Sequence, residues 1–101
     1  MEMNPDTDYP ETMKYLFIIE KAGRNLSGYF PDVPGCVTTG KSVEKAVSNA
    51  REALELHLED AARPPRARSL SWHLEKGGLK LTPTDVITWI PYEPAARLTA
   101  A

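Results

Sequence analysis

The sequence is poor in the features that most often reveal a protein's chemistry. It has one cysteine among 101 residues, so it cannot form an internal disulfide and gives no sign of an oxidising compartment. No apolar run approaches the ~18 residues that a membrane-spanning helix requires, and no basic segment with a following apolar core marks a secretion signal. We therefore expect a cytoplasmic protein with no membrane segment.

Residues that bind metals are also scarce. The two histidines, His57 and His73, have no partner at metal-ligand spacing, and no Cys-x-x-Cys pattern is present. His57 falls on the apolar side of a predicted helix, where we expect its ring to be packed. We predict no metal and no cofactor.

Charge is low overall and uneven along the chain. The first thirteen residues contain four acidic and no basic residues, which leaves 12 basic against 10 acidic residues in the remainder. We predict that residues 1–13 form a disordered acidic leader, because they are polar and lack apolar periodicity. The remainder is too weakly basic to indicate nucleic-acid binding from charge alone.

What the sequence does contain is a set of short strand patterns around a tight turn. Residues 14–20 are a run of aromatic and branched apolar side chains that is too short for a helix and apolar on both faces. Residues 26–30 and 36–39 are predicted as two further strands. The segment 31–35, Pro-Asp-Val-Pro-Gly, must reverse the chain, because its prolines fix φ and Gly35 can adopt a positive φ. The three strands should form an antiparallel meander.

A long amphipathic helix follows the meander. Ser42 is its predicted N-cap, and Glu44 would lie in the first turn, where the helix dipole favours a negative charge. Apolar residues recur at three- and four-residue spacing, so one helix face should cover the sheet. These residues are Val43, Ala46, Val47, Ala50, Ala53, Leu54, Leu58 and Ala61.

The last third of the chain returns to the sheet. Pro64 and Pro65 end the long helix, because proline cannot continue it. A short helix is predicted at residues 69–76 and a last strand, apolar on both faces, at residues 85–91. The order β-β-β-α-β indicates an α+β fold, and we expect the long crossover to return the last strand parallel to the first.

Three of these features together resemble the HicB antitoxin family. They are the strand ending at Glu20, the segment Tyr-Phe-Pro-Asp-Val-Pro-Gly-Cys-Val-Thr-Thr-Gly at 29–40, and the helix Ser-Val-Glu-Lys-Ala-Val-Ser-Asn-Ala-Arg-Glu-Ala-Leu-Glu-Leu-His-Leu-Glu at 42–59. The resemblance covers residues 14–93 and implies a partially degenerate ribonuclease-H-like fold, with a four-stranded sheet and one long helix packed on one face. It also implies an antitoxin that binds and silences a small HicA-type toxin, an mRNA-cleaving protein with a double-stranded-RNA-binding-like fold.

The resemblance directs attention to the central turn as the toxin-binding surface. Inhibition there would be steric occlusion, so it requires no catalytic residue. Cys36 itself is expected to be a small buried side chain. The candidate toxin-binding residues are Tyr29, Pro31, Asp32, Pro34, Gly35 and Cys36.

The sequence departs from longer relatives, many of which carry a carboxy-terminal DNA-binding module. Ten residues follow Pro91, too few for a ribbon-helix-helix or helix-turn-helix. We predict a short form with a disordered tail at residues 94–101, which by itself binds no operator DNA specifically. Arg63, Arg66 and Arg68 are expected in a solvated linker, and contact with RNA or an acidic partner is the alternative.

Two other functions stay open. A residual ribonuclease-H-like nuclease would need several carboxylates converging on two metal ions, and its candidates are Glu20, Asp32 and Asp85. Each lies in a turn or at the end of an element, where acidic residues are common, so we predict that the protein is not an enzyme. The other alternative is an orphan homo-oligomeric domain.

Self-association is predicted from the apolar pattern. One helix can cover one face of a four-stranded sheet, yet the first and last strands are apolar on both faces. Either the segment around Trp72 covers the second face or another subunit does, and we expect a homodimer or homotetramer. Trp72 and Trp89 are predicted as packing residues. Leu56 lies off the buried helix stripe and is a candidate interface residue.

Overall fold

The computed structural model describes residues 13–61 and 63–93 of the chain. Within these ranges the order of elements is β-β-β-α-α-β, and the α+β class predicted from the sequence is confirmed. The strands are β1 (Met13–Ala22), β2 (Asn25–Tyr29), β3 (Val37–Gly40) and β4 (Val86–Tyr92). The helices are α1 (Val43–His57) and α2 (Leu70–Glu75).

β1 and β2 form a tight antiparallel hairpin. Ala22 pairs with Asn25, so Gly23 and Arg24 alone make the connection. Gly23 has a φ of 64°, which a type II′ turn requires at its first central residue. This short turn holds β1 and β2 in register.

The sheet has the order β3-β2-β1-β4, and every pair of neighbouring strands is antiparallel. Our expectation that the last strand runs parallel to the first was wrong, because Met13 pairs with Tyr92 and Ile19 with Val86. A direct return from α1 would have started β4 at the end of the sheet where β1 begins. The connection at residues 58–85, which includes α2, instead carries the chain to the opposite end before β4 starts.

α1 packs on the sheet face that carries Tyr15, Phe17 and Ile19, and its start is as predicted. Ser42 Oγ accepts a hydrogen bond from Lys45 N at 3.1 Å. The small side chains of Ala46 and Ala50, both buried, let the helix lie close to the strands. The core cluster consists of Met13, Tyr15, Phe17, Ile19, Phe30, Val33, Cys36, Ala46, Ala50, Leu54, Leu58, Ile90 and Tyr92.

Two predicted members of the buried helix stripe lie outside this core. Val43 is 41% exposed because it stands in the first turn, at the edge of the sheet. Ala61 is exposed and lies beyond the end of α1, since α1 ends at His57 and not at Pro64 and Pro65, which we wrongly expected to end it. The helix therefore packs on the sheet from Ala46 to its C-terminal end.

Two glycines allow close contact between the layers. A Cβ at Gly28 would lie 2.1 Å from Phe17 Cζ, and a Cβ at Gly40 would lie 2.5 Å from Ala46 N. β2 therefore leaves room for the Phe17 ring, and β3 lets the backbone of α1 approach. Since Gly28 faces α1, the alternation of the strand puts Tyr29 on the opposite face of the sheet.

Only one residue near the predicted domain limits can be compared with the structure. Met13, which we assigned to the leader, is 7% exposed, lies in β1 and pairs with Tyr92 of β4. The rest of the predicted leader, residues 1–12, and the predicted tail, 94–101, lie outside the described residues. No helix in the described ranges is long and apolar enough to cross a membrane. The ribonuclease-H-like character of the fold stays a prediction.

Candidate functional site

The central turn, from Phe30 to Cys36, folds back on itself and is anchored in the core. Val33 N donates to the Phe30 carbonyl at 3.0 Å, and Cys36 N donates to the Val33 carbonyl at 3.1 Å. Gly35 has a φ of 86°, a left-handed conformation that other residues rarely adopt. Phe30, Val33 and Cys36 are at most 3% exposed, so the turn presents Pro34 and Gly35 to solvent.

A buried carboxylate ties this turn to the connection between α1 and β4. Asp32 Oδ1 lies 2.9 Å from His73 Nε2, and Asp32 Oδ2 accepts a hydrogen bond from Arg68 N at 3.0 Å. The His73 and Asp32 side chains are 6% and 3% exposed. Burying a carboxylate without donors is costly, and here both oxygens are satisfied. We call Asp32, Arg68 and His73 the Asp32 clamp.

α2 holds the Asp32 clamp in position. Ser69 caps this short helix, since its Oγ accepts a hydrogen bond from Trp72 N at 3.1 Å. The Arg68 guanidinium lies 4.0 Å from the Trp72 ring centroid, and the Trp72 and His73 rings meet edge to face at 5.1 Å. A Cβ at Gly77 would come within 3.0 Å of His73 Nδ1. α2 is therefore a structural part of the site.

The role of His73 was not apparent from the sequence, because its partner Asp32 is 41 positions away. The prediction for the arginines was partly wrong. The Arg68 backbone N–H donates to Asp32, and the Arg68 guanidinium lies over the Trp72 ring. These two contacts hold Arg68 against the protein. Arg63 and Arg66 are exposed, as expected for a linker. The short helix predicted at residues 69–76 is observed as α2, at Leu70–Glu75.

Burial changes the pKa of two groups at the two ends of the central turn, the Tyr29 hydroxyl just before it and the Cys36 thiol at its last residue. Burial, and after it the negative charges of Glu20 and Asp85, raise the pKa of the Tyr29 hydroxyl above its ordinary value. Burial also raises the pKa of the Cys36 thiol, so the thiol stays protonated and unreactive near neutral pH. Cys36 is thus the small buried side chain that we predicted.

The six predicted toxin-binding residues lie together, but their side chains differ in accessibility. Pro34 and Gly35 are exposed and Pro31 is half-buried. The Asp32 side chain is almost completely enclosed, so a partner could reach Asp32 chiefly through its backbone, whereas Cys36 is buried as a whole residue. Contact between these residues and a partner stays a prediction.

The exposed tip of the turn lies beside the end of α1. A Cβ at Gly35 would lie 3.6 Å from His57 Cε1, and His57 is exposed, so our expectation of a packed histidine was wrong. Leu54 and Leu58 already fill the buried stripe at this end of the helix. Leu56 is 70% exposed, as its position off that stripe predicted. The groove around it is lined by Glu52, Glu55, Leu56 and Glu59.

The three carboxylates considered for a nuclease do not converge on one point, although Glu20 and Asp85 both lie close enough to Tyr29 to raise its pKa. Asp32 belongs to the clamp, whereas Asp85 accepts hydrogen bonds from Thr82 N and Thr82 Oγ1 at 2.9 and 2.8 Å. Glu20 is exposed on β1. In the part of the chain that the structure describes, no group of three or more His, Cys, Asp or Glu side chains could hold a metal ion.

The described residues define a small α+β domain, with an antiparallel sheet, one long helix on one face and a preformed turn beside the end of that helix. A family model of the HicB-like antitoxins of bacterial toxin–antitoxin systems matches residues 15–78. This match includes the central turn, α1 and the Asp32 clamp. The chain belongs to the HicB-like antitoxin family.

Several proteins have related sequences. An uncharacterised 14.9 kDa protein encoded in the rep-hol intergenic region of Haemophilus phage HP1 is 32% identical over 68 residues, which are 63% of this chain and 51% of that protein. A UPF0150 protein of Helicobacter pylori is 44% identical over 43 residues, 43% of this chain and 60% of that protein. The chain thus spans 51% and 60% of the length of these two relatives.

Solved structures share the fold. The crystal structure of antitoxin HicB3 matches with a TM-score of 0.64 and 26% identity over 82% of this chain and 64% of that one. A chain of the HicA3 and HicB3 toxin–antitoxin complex matches with a TM-score of 0.60 and 25% identity over 77% of this chain and 95% of that one. The N-terminal domain of Burkholderia pseudomallei antitoxin HicB, at 20% identity and a TM-score of 0.63 over 77% of this chain and 95% of that one, supports the fold alone.

Proposed function

We propose that this chain is the antitoxin of a type II toxin–antitoxin pair, and that it binds a HicA-type mRNA-cleaving toxin and inhibits it by steric occlusion. The observation that carries the proposal is the match to the HicB-like antitoxins together with the likeness to a chain of the HicA3 and HicB3 complex. Occlusion requires a surface that is rigid and accessible. The central turn meets both conditions.

The central turn is held in one shape before any partner arrives. Its backbone hydrogen bonds, the left-handed Gly35 and the Asp32 clamp all restrict it. A preformed surface loses little conformational entropy on binding, so more of the contact energy appears as affinity. Asp32 and Cys36 would support the surface from within. The residues in direct contact would be Tyr29, Pro31, Pro34 and Gly35.

The acidic end of α1 would extend this surface. Glu52, Glu55 and Glu59 surround the exposed Leu56, and Arg51 offsets one of their charges. A protein that binds RNA presents Lys and Arg to the phosphates, so its RNA-binding face is attracted to an acidic surface. Covering that face would exclude the RNA. The mechanism needs no catalytic group, and we propose that the chain has no nuclease activity.

We also propose that these residues do not read operator DNA. Reading base edges requires a helix or a two-stranded ribbon in the major groove. α1 packs its apolar face on the sheet, and its outward face carries mainly glutamates, with Lys45 and Arg51 as basic residues. An electrophoretic shift of the promoter fragment at about 150 mM salt that resists scrambled competitor DNA would contradict this proposal.

Co-expression with the product of the adjacent small reading frame tests the antitoxin role. We expect growth rescue, protection of RNA in vitro and a stable complex in calorimetry. A folded chain that neither binds nor inhibits that protein would overturn the proposal.

A pair of variants tests the turn as the contact surface. Pro34→Arg adds charge and bulk at the exposed tip and is expected to raise the Kd for the toxin at least about tenfold, with an unchanged melting temperature. The matched control, Arg24→Glu, changes an exposed residue of the β1–β2 turn at the other end of the sheet. Its Kd should stay within about threefold of the wild-type value, because a distant surface charge contributes little. Equal affinity of Pro34→Arg and the wild type would rule out the tip of the turn.

A further inference from the structure

The connection between α1 and β4 carries an excess of positive charge that the rest of the chain lacks. Residues 63–80 contain five basic residues and one acidic residue, which leaves seven basic against 13 acidic residues in the remainder. A surface with one sign of charge raises the local concentration of oppositely charged ligands. This segment therefore attracts a polyanion, whereas the remainder carries a net negative charge that repels it.

Three side chains of this segment follow one another along α2. The Arg68 guanidinium lies over the Trp72 ring, 4.0 Å from its centroid, and Arg68 N is fixed by its hydrogen bond to Asp32. Lys76 follows Trp72 by four residues, so the two side chains lie on the same side of the helix. Among the described residues the Arg68 guanidinium makes no ion pair with a carboxylate. Arg68 is thus a preoriented cation whose N–H groups can meet an external anion.

Two further basic residues are held at the ends of α2. The backbone before Arg66 is fixed, because the Pro65 carbonyl accepts a hydrogen bond from the Tyr15 hydroxyl at 2.6 Å, and the residue after Arg66 packs against the core. Beyond α2, Leu79 N donates to a carbonyl of the helix at 3.0 Å, so Lys80 stays beside it. Both basic side chains are exposed. We call the combined set the α2 surface. It consists of Arg66, Arg68, Trp72, Lys76 and Lys80.

We propose that the α2 surface binds single-stranded nucleic acid, RNA or DNA, without reading its sequence. Lys and Arg contact the phosphates, and a base stacks on the Arg68 guanidinium, where it continues the layer that this group forms over the Trp72 ring. Every nucleobase has a flat π face, so this stacking does not depend on sequence. An acidic protein would match the charges, but its carboxylates would leave the stacking position unused.

The number of cations sets the strength of this binding. Sequence-independent binding at physiological salt has a Kd of about 1–100 µM, and we expect a value in this range. Four cations that each neutralise one phosphate give a slope of about −3 for the logarithm of the association constant against the logarithm of salt concentration. The binding does not involve the toxin, so its failure would leave the proposed antitoxin function untouched.

Fluorescence anisotropy of labelled strands of about 12 nucleotides tests the binding with the full chain at about 100 mM salt. RNA and DNA of the same sequence should both bind, and the ratio of their Kd values identifies the preferred ligand. The duplex of that sequence should have a Kd at least about fivefold higher, because its bases are stacked inside the helix. A duplex that binds as tightly as the single strands, or single strands that do not bind at about 500 µM protein, would overturn the proposal.

Removal of the Arg68 side-chain charge tests the centre of the α2 surface. Arg68→Gln keeps the backbone N–H that donates to Asp32, so the fold and the circular dichroism spectrum should stay unchanged. We expect the Kd for RNA to rise at least about fivefold and the salt slope to become less steep by about 0.7, the contribution of one phosphate contact on a single strand. An unchanged Kd and slope would exclude Arg68 and overturn the proposal.

A pair of charge reversals separates the α2 surface from the overall charge of the chain. Lys76→Glu should raise the Kd for RNA at least about fivefold. The matched control, Lys45→Glu, makes the same change in net charge at an exposed position in the first turn of α1. Its Kd should stay within about twofold of the wild-type value, because a distant surface charge contributes little. Equal effects of the two reversals would show that binding is not localised at α2.

The emission of Trp72 reports on the stacked base. Trp89, which we expected to be packed, is 46% exposed, and Trp89→Phe leaves Trp72 as the single tryptophan. RNA should change the Trp72 emission with the Kd that anisotropy gives, and an oligo-glutamate of equal length should compete at least about tenfold less well than unlabelled RNA. Unchanged emission at saturation would contradict the stacking. Equal competition by oligo-glutamate would assign the surface to an acidic protein and overturn the proposal.

Discussion

The interface between the sheet and α1 and the Asp32 clamp stabilise the molecule by different physics. The first buries apolar side chains, whose contribution is non-directional and follows the area removed from water. The second consists of a few polar groups with fixed partners, where the loss of one leaves the others buried and unsatisfied. The first therefore supports the fold as a whole, whereas the second decides where the central turn and α2 lie.

The largest effect is expected on the apolar side. Phe17→Ala removes a fully buried ring that packs on Phe30 with centroids 4.7 Å apart, and should lower the free energy of unfolding by about 3–5 kcal/mol. Denaturant titration measures it. A loss below about 1 kcal/mol would mean that the core relaxes around the cavity and that packing is not the main support of the sheet.

A substitution at Gly28 tests the packing of the Phe17 ring more specifically. Gly28→Ala alone should destabilise by about 1–3 kcal/mol, because its Cβ would overlap the Phe17 ring. In the Phe17→Ala background the same Cβ enters vacated space, so the additional loss should be much smaller. Additive losses in this double-mutant cycle would contradict the described contact.

The next largest loss of stability is expected at the Asp32 clamp. Asp32→Ala leaves the His73 ring and Arg68 N without their acceptor and should cost about 2–3 kcal/mol. Asp85→Ala is the matched control, because Asp85 also accepts two hydrogen bonds but at an exposed turn, and it should cost less than about 1 kcal/mol. Equal losses of unfolding free energy in the two variants would show that burial does not increase the contribution of the clamp to stability.

Removing the N-cap of each helix tests whether α2 unfolds together with the rest of the domain or by itself. Ser42→Ala removes the cap of α1 and should lower global stability by about 1 kcal/mol. Ser69→Ala removes the cap of the six-residue α2 and should act locally, with faster amide exchange near the clamp and little change in the denaturation midpoint. If α2 is instead part of the global unit, both variants will shift the midpoint equally.

The smallest effect on stability is expected from ionisation of the Cys36 thiol. Cys36 belongs both to the apolar core and to the central turn. Burial raises its pKa in the folded state, so the unfolded chain ionises first. Stability should be unaffected below the ordinary pKa of 9.0 and should decline as pH rises through it toward the folded value. The decline is measured against Cys36→Ala, which removes this contribution while Tyr29 still titrates. Identical alkaline profiles of the two proteins would contradict the burial effect.

Except for the end of α1, which lies at His57 and not near the prolines, the local elements could be predicted from the sequence to within two residues at their ends. The first strand, expected at 14–20, is observed at Met13–Ala22, and the predicted cap Ser42 does cap α1. These predictions succeeded because alternation, three-four spacing and capping act between neighbours in the chain. His57 failed for the opposite reason, since its exposure depends on Leu54 and Leu58 having already filled the available space.

By itself the sequence determined the central turn and α1, because the prolines, Gly35 and the apolar stripe restrict the backbone wherever the rest of the chain lies. Only the tertiary structure decided the direction of β4 and the pairing of Asp32 with His73. Both depend on the path of residues 58–85 across the molecule. That path brings Arg68 and His73 to a buried carboxylate that is far away in the sequence, and no local pattern encodes such a pairing.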